Sequence, residues 1–251
     1  MTAEPPVQYF KGAGGARLAY REIGEGLPLV LFHGFLSSAS ANWVRGGHAE
    51  LLAARGHRVI LPDARAHGDS AKPHDAAAYP VDVVAADGFA LIEQLGLEEY
   101  DLGGYSLGAR TTIRLLTRGA APRRAVIAGM GLAAIVHTAN RGDLFRRVLA
   151  NPGGFGPGTP EARTDAYVES IGADPVALLH LLETIVDTPR RALAAIETPA
   201  LVLCGSADPE LEEAAALATA LSDARFAAIP GNHTSAIFKP GLGEAIAEFL
   251  D

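Results

Sequence analysis

The segment Gly104-Tyr105-Ser106-Leu107-Gly108, a serine with glycine two residues before and two after, has the clearest chemical content in this chain. A strand pattern over residues 100–105 leads into it and a helical pattern over 107–117 follows. The spacing therefore predicts a strand–turn–helix junction so tight that only small neighbours fit. At such a junction the hydroxyl stands clear at a helix N-terminus. The helix dipole and the Leu107 N–H favour an oxyanion beside it. A serine hydroxyl is a weak nucleophile without a base, and the chain offers eight histidines. His48, His57 and His74 are expected on the surface. His137 and His180 fall in a stretch that could line a pocket. His33, His67 and His233 each follow a strand pattern, so each reaches the sheet edge that presents Ser106, as a base must. A carboxylate that orients the imidazole separates them. Asp208 follows the apolar run at 199–204 and precedes His233 by 25 residues, one helix plus one strand. That spacing places Asp208 and His233 on successive strand ends. Asp208 also suits a helix cap ahead of Pro209 and Glu210, and the two roles are compatible.

The elements that must position these side chains are legible from periodicity. Residues 7–12 and 17–24 alternate apolar and polar around Gly12-Ala13-Gly14-Gly15, the pattern of a hairpin. Residues 27–32, 58–61, 124–128 and 199–204 are continuous apolar runs of the kind found in strands buried on both faces. Residues 100–105 and 225–230 are weaker strands. Helical spacing covers 81–95, 107–117, 210–221 and 242–250. Strands alternating with helices predict one mostly parallel sheet covered on both faces. Residues 132–195 break the alternation: they carry helical patterns, a Gly/Pro-rich loop at 151–160, and no strand. We expect a core of residues 1–131 and 196–251 with a helical cap at 132–195 lying over the carboxyl ends of the strands.

Composition narrows the function classes. With 21 basic and 29 acidic residues the formal net charge is −8, and Arg123-Arg124, Arg146-Arg147 and Arg190-Arg191 are isolated pairs. Nucleic-acid binding, which needs a basic stripe, is not expected. The longest uncharged apolar stretch, 125–136, is too short to span a bilayer, which takes ~20 residues. The segment MTAEPPVQYF has neither the basic nor the apolar region of an export signal. A single cysteine, Cys204, excludes an internal disulfide and suits a reducing compartment, so a cytoplasmic location is expected. Gly129-Met130-Gly131 imitates a dinucleotide fingerprint. However, Asn151-Pro152-Gly153 stands about 20 residues on, where an acid should bind ribose.

Taken in order and spacing, Leu31-Phe32-His33-Gly34-Phe35, the segment from Pro62 to Ser70, Gly104 to Gly108, Cys204 to Asp208 and Gly231-Asn232-His233 resemble the α/β-hydrolase superfamily, in its serine-nucleophile, esterase-like branch, over nearly the whole chain. The resemblance implies that fold, with a mostly parallel central sheet and a small helical cap. It implies a triad of Ser106, Asp208 and His233, and an oxyanion hole of the Phe35 and Leu107 backbone N–H groups, with His33 bracing its loop. Glycine is usual in the superfamily where Ala66 stands, and the loop 37–42 before Trp43 is somewhat long. Relatives that open epoxides or remove halide attack through an aspartate at this elbow, whereas serine implies acyl transfer to water. That chemistry needs no metal or cofactor. Carboxylesterases, lactonases, carbon–carbon bond hydrolases and cofactor-free perhydrolases share the triad, and fold and triad do not separate them. A non-catalytic receptor for a small ligand also keeps it in some cases. Phe35, Trp43, Phe145, Phe155 and Tyr167 are candidates to line the pocket or to pack in the core. An apolar cap with no charged cluster implies a small or medium uncharged acyl substrate. With an imidazole as base, activity is expected to fall as the pH drops through about 6–7.

Overall fold

The computed structural model describes residues 4–138 and 142–251. The alternating N-terminal segments form an antiparallel hairpin, Gln8–Lys11 (β1) and Arg17–Ile23 (β2), with Phe10 opposite Leu18. The apolar runs become Leu27–Phe32 (β3), His57–Pro62 (β4), Ala125–Ala128 (β6) and Ala200–Gly205 (β7). The two weaker candidates are Asp101–Tyr105 (β5) and Ala224–Ile229 (β8). All eight strands join one sheet in the order β1-β2-β4-β3-β5-β6-β7-β8. Pairing is antiparallel as far as β2–β4 and parallel from β4 through β8. The carboxyl ends of β3, β5, β7 and β8 therefore open on the same edge, which is what brings residues far apart in the chain together.

Ten helices accompany the strands among the described residues: His48–Ala54 (α1), Val83–Gln94 (α2), Leu107–Thr117 (α3), Leu132–Val136 (α4), Asp143–Ala150 (α5), Pro160–Ser170 (α6), Pro175–Leu182 (α7), Arg190–Leu193 (α8), Leu211–Ala220 (α9) and Pro240–Leu250 (α10). Successive strand side chains alternate between the two faces. Leu29, Leu31, Val59, Leu61, Leu201 and Leu203 pack with Leu52 of α1 and Ile246 of α10. Val30, Phe32, Ile60 and Leu102 pack with Leu91 of α2 and Leu115 of α3. Val202 and Ile127 meet Ile113 of α3 and Leu217 of α9. Each such side chain, fully buried, contributes about 1.5–3 kcal/mol. Cys204 sits inside β7, where burial pushes its thiol up to about 12.

Between β6 and β7 the described residues form α4–α8 and no strand. Residues 139–141 of the expected cap lie outside the described residues, as do residues 1–3 of the N-terminal segment. Phe145, Val148 and Leu149 of α5, Val168 of α6 and Leu178 of α7 share an apolar cluster with Phe35, Leu36 and Leu107, residues of the site edge. No helix among the described residues is long and apolar enough to cross a membrane.

Two expectations are corrected and one open alternative is decided. Of the two places open to Trp43, it takes the core. It sits in a short helical turn, Ser40–Val44, fully buried among Leu29, Leu52 and Leu242 beneath the sheet. His48 and His57 are not on the surface. His48 is buried and donates from Nε2 to the Ile237 carbonyl at 2.7 Å, and burial lowers its pKa. His57 is buried at the start of β4, near Asp101, whose carboxyl burial pushes upward.

Candidate active site

The elbow is built as its glycines require. Ser106 ends β5 with φ 54° and ψ −109°, outside the regions open to most residues; holding it there costs on the order of 1–3 kcal/mol. A Cβ at Gly104 would stand 2.3 Å from the carbonyl carbon of Gly108, and one at Gly108 only 2.1 Å from the Phe32 oxygen. The helix turn is thus pressed against the ends of β3 and β5, leaving Ser106 at the N-terminus of α3.

The Gly34 N–H donates to Asn42 Oδ1 at 3.1 Å, and the place of its missing Cβ is 3.5 Å from the Ser106 Cβ. That bond holds the chain leaving β3 beside the serine. Among the described residues, neither the Phe35 nor the Leu107 N–H is spent on an acceptor within the protein. Leu36 adopts φ 54°, so the backbone turns sharply just after Phe35.

Asp208 follows β7 and His233 follows β8. His233 Nδ1 lies 3.1 Å from Asp208 Oδ2, and His233 Nε2 lies 3.1 Å from Ser106 Oγ. With Nδ1–H donating to the carboxylate, Nε2 remains an acceptor for the serine hydroxyl. The Asp208 side chain is 1% exposed and that of His233 41%. The other carboxylate oxygen, Oδ1, accepts from the Glu210 N–H at 3.0 Å, ahead of α9. Asp208 thus contacts both the imidazole and the residue that precedes α9. The His233 loop is tied internally: Asn232 Oδ1 accepts from the Thr234 and Ser235 N–H groups at 3.1 and 3.0 Å.

Bond accounting removes the two competing histidines. His33 Nε2 accepts from the Ala64 N–H at 2.9 Å, so Nδ1 carries the proton and donates to the Gly34 carbonyl at 2.7 Å. His67 Nε2 accepts from the Leu36 N–H at 3.2 Å and Nδ1 donates to the Arg65 carbonyl at 3.0 Å. Neither ring has an acceptor left for a substrate proton. The two rings lie edge to face at 5.1 Å and clamp residues 33–36 to the loop after β4. Burial lowers the His33 pKa, partly offset by Asp63; burial, aided by His33, lowers His67 to about 3.

The sign of that shift makes a stability prediction. A histidine whose folded pKa lies below its unfolded value of about 6.5 holds back a proton that the unfolded chain would take up. Its stabilisation is complete above pH 6.5 and is lost as the pH falls toward 3. Between pH 7 and pH 5 His67 should cost about 2 kcal/mol. Urea unfolding at the two pH values should show that loss, and His67→Gln should flatten it. An unchanged slope in the variant would assign the loss to other groups.

The loop after β4 also carries Ala66, at φ 67°, where the glycine usual in the superfamily would be unstrained. Its neighbour Arg65 is buried in a forked pair with Asp87 of α2, at 2.7 and 3.0 Å. Of the expected lining residues, Phe35 packs edge to face on Phe145 at 5.1 Å, Phe155 joins the same cluster, and the Tyr167 hydroxyl donates to the Leu36 carbonyl at 3.3 Å. His180 instead stacks on Tyr79, and His137 is exposed. At the dinucleotide-like turn, a Cβ on Gly131 would fall 2.5 Å from the Glu213 Cβ and 2.6 Å from Glu210 Oε2. Carboxylates fill the space a phosphate would need. Among the described residues no group of three or more His, Cys, Asp or Glu side chains is placed to hold a metal ion.

Comparison with known proteins agrees with this architecture. A thermophilic esterase from Thermogutta terrifontis superposes with a TM-score of 0.78 at 25% identity, covering 98% of each chain. An enol-lactonase from Burkholderia xenovorans LB400 superposes at 0.79 and 23% identity, over 97% of this chain and 99% of its own, a likeness of fold. A non-heme haloperoxidase from Rhodococcus erythropolis is 33% identical over 126 residues, 48% of this chain and 43% of that protein. The matched stretch thus spans less than half the length of this curated relative. The sequence model described as alpha/beta hydrolase fold matches residues 28–162, more than half of the chain and inclusive of Ser106 and residues 33–36; the chain belongs to the alpha/beta hydrolase family.

Proposed function

We propose that this chain is a serine hydrolase that cleaves a carboxylic ester through an acyl-enzyme. The observation that carries the reading is the line Asp208 Oδ2, His233, Ser106 Oγ, with both contacts at 3.1 Å, beside the unspent amides of Phe35 and Leu107. His233 Nε2 takes the Ser106 proton as Oγ attacks the ester carbonyl. The Phe35 and Leu107 N–H groups receive the negative charge on the carbonyl oxygen, each worth about 3–4 kcal/mol to the transition state. The imidazolium, paired with Asp208, returns the proton to the leaving alcohol as the C–O bond breaks. Water, deprotonated by the same nitrogen, then releases the acid and regenerates Ser106. No step calls for a metal or cofactor.

The substrate class follows from what surrounds the oxyanion loop. Phe35, Leu36, Leu107, Phe145, Val148 and Phe155 form an apolar cluster, which suits an uncharged acyl group of small or medium size. The likeness to the T. terrifontis esterase supports an ester over the other acyl compounds such a site handles. Residues 132–195 serve in this reading as the cap over the acyl group, and the protein acts on small molecules in the cytoplasm.

The test is a panel: neutral esters of rising acyl length, one anionic ester, one lactone and one β-diketone, each run against Ser106→Ala. Turnover of neutral esters that Ser106→Ala abolishes supports the reading. Preference for the β-diketone moves the chain to carbon–carbon hydrolysis. Faster turnover of the anionic ester rejects the apolar site, and no turnover of any substrate makes the chain a binder.

A further inference from the structure

We infer that Tyr105 is a positioning residue for the proposed reaction, holding His233 in line through its main chain. The inference rests on the reading of Ser106, Asp208 and His233 given above.

His233 is weakly held by its side chain alone. Its contact to the Asp208 carboxylate is 3.1 Å, longer than the 2.7–2.9 Å usual for bonds to an ionised group, and its side chain is 41% exposed. Its loop is tied to itself through Asn232 and Ser235, and to the loop after β7 by the Ala207 N–H, which donates to the Gly231 carbonyl at 2.9 Å. None of these bonds is made by the His233 peptide itself. Tyr105 holds that peptide directly. Its hydroxyl donates to the His233 carbonyl at 2.7 Å, and its ring lies 5.5 Å from the imidazole. The tyrosine is itself fixed, buried in the core cluster with Ala128 and Leu203. Gly129, at φ 66°, passes so close that a Cβ there would stand 2.7 Å from the ring. Burial, reinforced by the Asp208 charge, raises the phenol pKa, so the hydroxyl stays a donor throughout the working pH range.

The placement matters because Tyr105 is bonded to Ser106. The residue that anchors the base is one peptide unit from the nucleophile, so the distance between Oγ and Nε2 is set across a short, rigid span. Asp208 aims the ring from the far side. Three fixed points then define the imidazole: carboxylate, serine and main-chain carbonyl. A displacement well under 1 Å at Nε2 is enough to slow proton transfer.

The experiment compares wild type, Tyr105→Phe, His233→Ala and the double variant on a neutral p-nitrophenyl ester, with burst kinetics separating acylation from deacylation. Tyr105→Phe keeps the ring and removes one oxygen, so the protein should fold, as a melting curve will verify. We expect acylation and deacylation to slow together, about tenfold each for the loss of one hydrogen bond, with KM changed less than twofold. In the His233→Ala background the same substitution should change the residual rate less than twofold, because a positioning residue has nothing left to position. A tenfold loss that persists without His233, a loss confined to KM, or an unchanged kcat would each overturn the inference. If His233→Ala itself keeps wild-type activity, it is the reading of the triad that fails, a result distinct from the others.

Discussion

Ser106→Ala is expected to lower kcat by about 10⁶-fold and Asp208→Asn by about 10⁴-fold, both with a melting temperature close to wild type. The two losses differ because the side chains do different work. Without Oγ there is no acyl-enzyme, and only the amides of Phe35 and Leu107 and substrate binding remain. Asparagine at 208 leaves the nucleophile in place but turns an acceptor-only carboxylate into an amide that can present N–H to His233 Nδ1, favouring the tautomer whose Nε2 is protonated and cannot take the Ser106 proton. Stability should survive the change, because the amide oxygen still accepts from the Glu210 N–H, as Oδ1 now does at 3.0 Å. Steady-state rates on a neutral ester and thermal melts decide the matter. If Asp208→Asn lost stability and activity in parallel, the residue would be acting mainly as the fastening of α9.

Arg65→Met should cost about 3–5 kcal/mol of stability, the largest effect anticipated outside the reacting groups. Arg65 is 2% exposed and Asp87 6%. The guanidinium also donates to the carbonyls of Ala78 and, at 2.7 Å, Ala13, while Asp87 Oδ1 accepts from the Ala13 N–H at 2.8 Å. Removing the arginine leaves a carboxyl that burial already pushes upward, with its cation gone and two carbonyls orphaned. Denaturant unfolding at pH 7 measures this directly, and a loss under 1 kcal/mol would mean that water replaces the guanidinium. Because Arg65 belongs to the loop whose His67 fixes Leu36, kcat should fall as well, through the Phe35 amide that the proposed reaction uses.

The parts of this molecule legible in its sequence are those written in local patterns. The continuous apolar runs become β3, β4, β6 and β7 within a residue or two of the expected ends, because burial on both faces leaves no other composition for them. The helix after the elbow begins at Leu107 and ends at Thr117, as its periodicity indicates. The spacing of Asp208 and His233 anticipated neighbouring strand ends, and β7 and β8 pair in register. What local patterns hide is any role assigned across long separations. His48 resembles a surface histidine until Ile237 supplies its acceptor from 189 residues away. Trp43 looked equally suited to a pocket or a core, and α1 and α10 settle it beneath the sheet. Three histidines reach the site edge; the spacing to Asp208 singles out His233 in the sequence, while the bonds that make His33 and His67 braces are visible only in the structure. One signal of the buried pair does lie in the sequence: Asp87 falls on the apolar face of α2 with Val83, Val84 and Leu91, and a carboxylate there calls for a buried cation.

The stretch from α4 to α8 leaves the sheet after β6 and rejoins it at β7, and those two strands are partners, Ala125 beside Ala200. Its ends are thus tethered to adjacent rungs whatever its length, and lengthening such a loop costs only slowly more in chain entropy. Ser106 precedes the excursion, while Asp208 and His233 come after it. The length of α4–α8 can therefore change at small entropic cost, provided that what replaces α5 and α6 still packs on Phe35 and still bonds the Leu36 carbonyl.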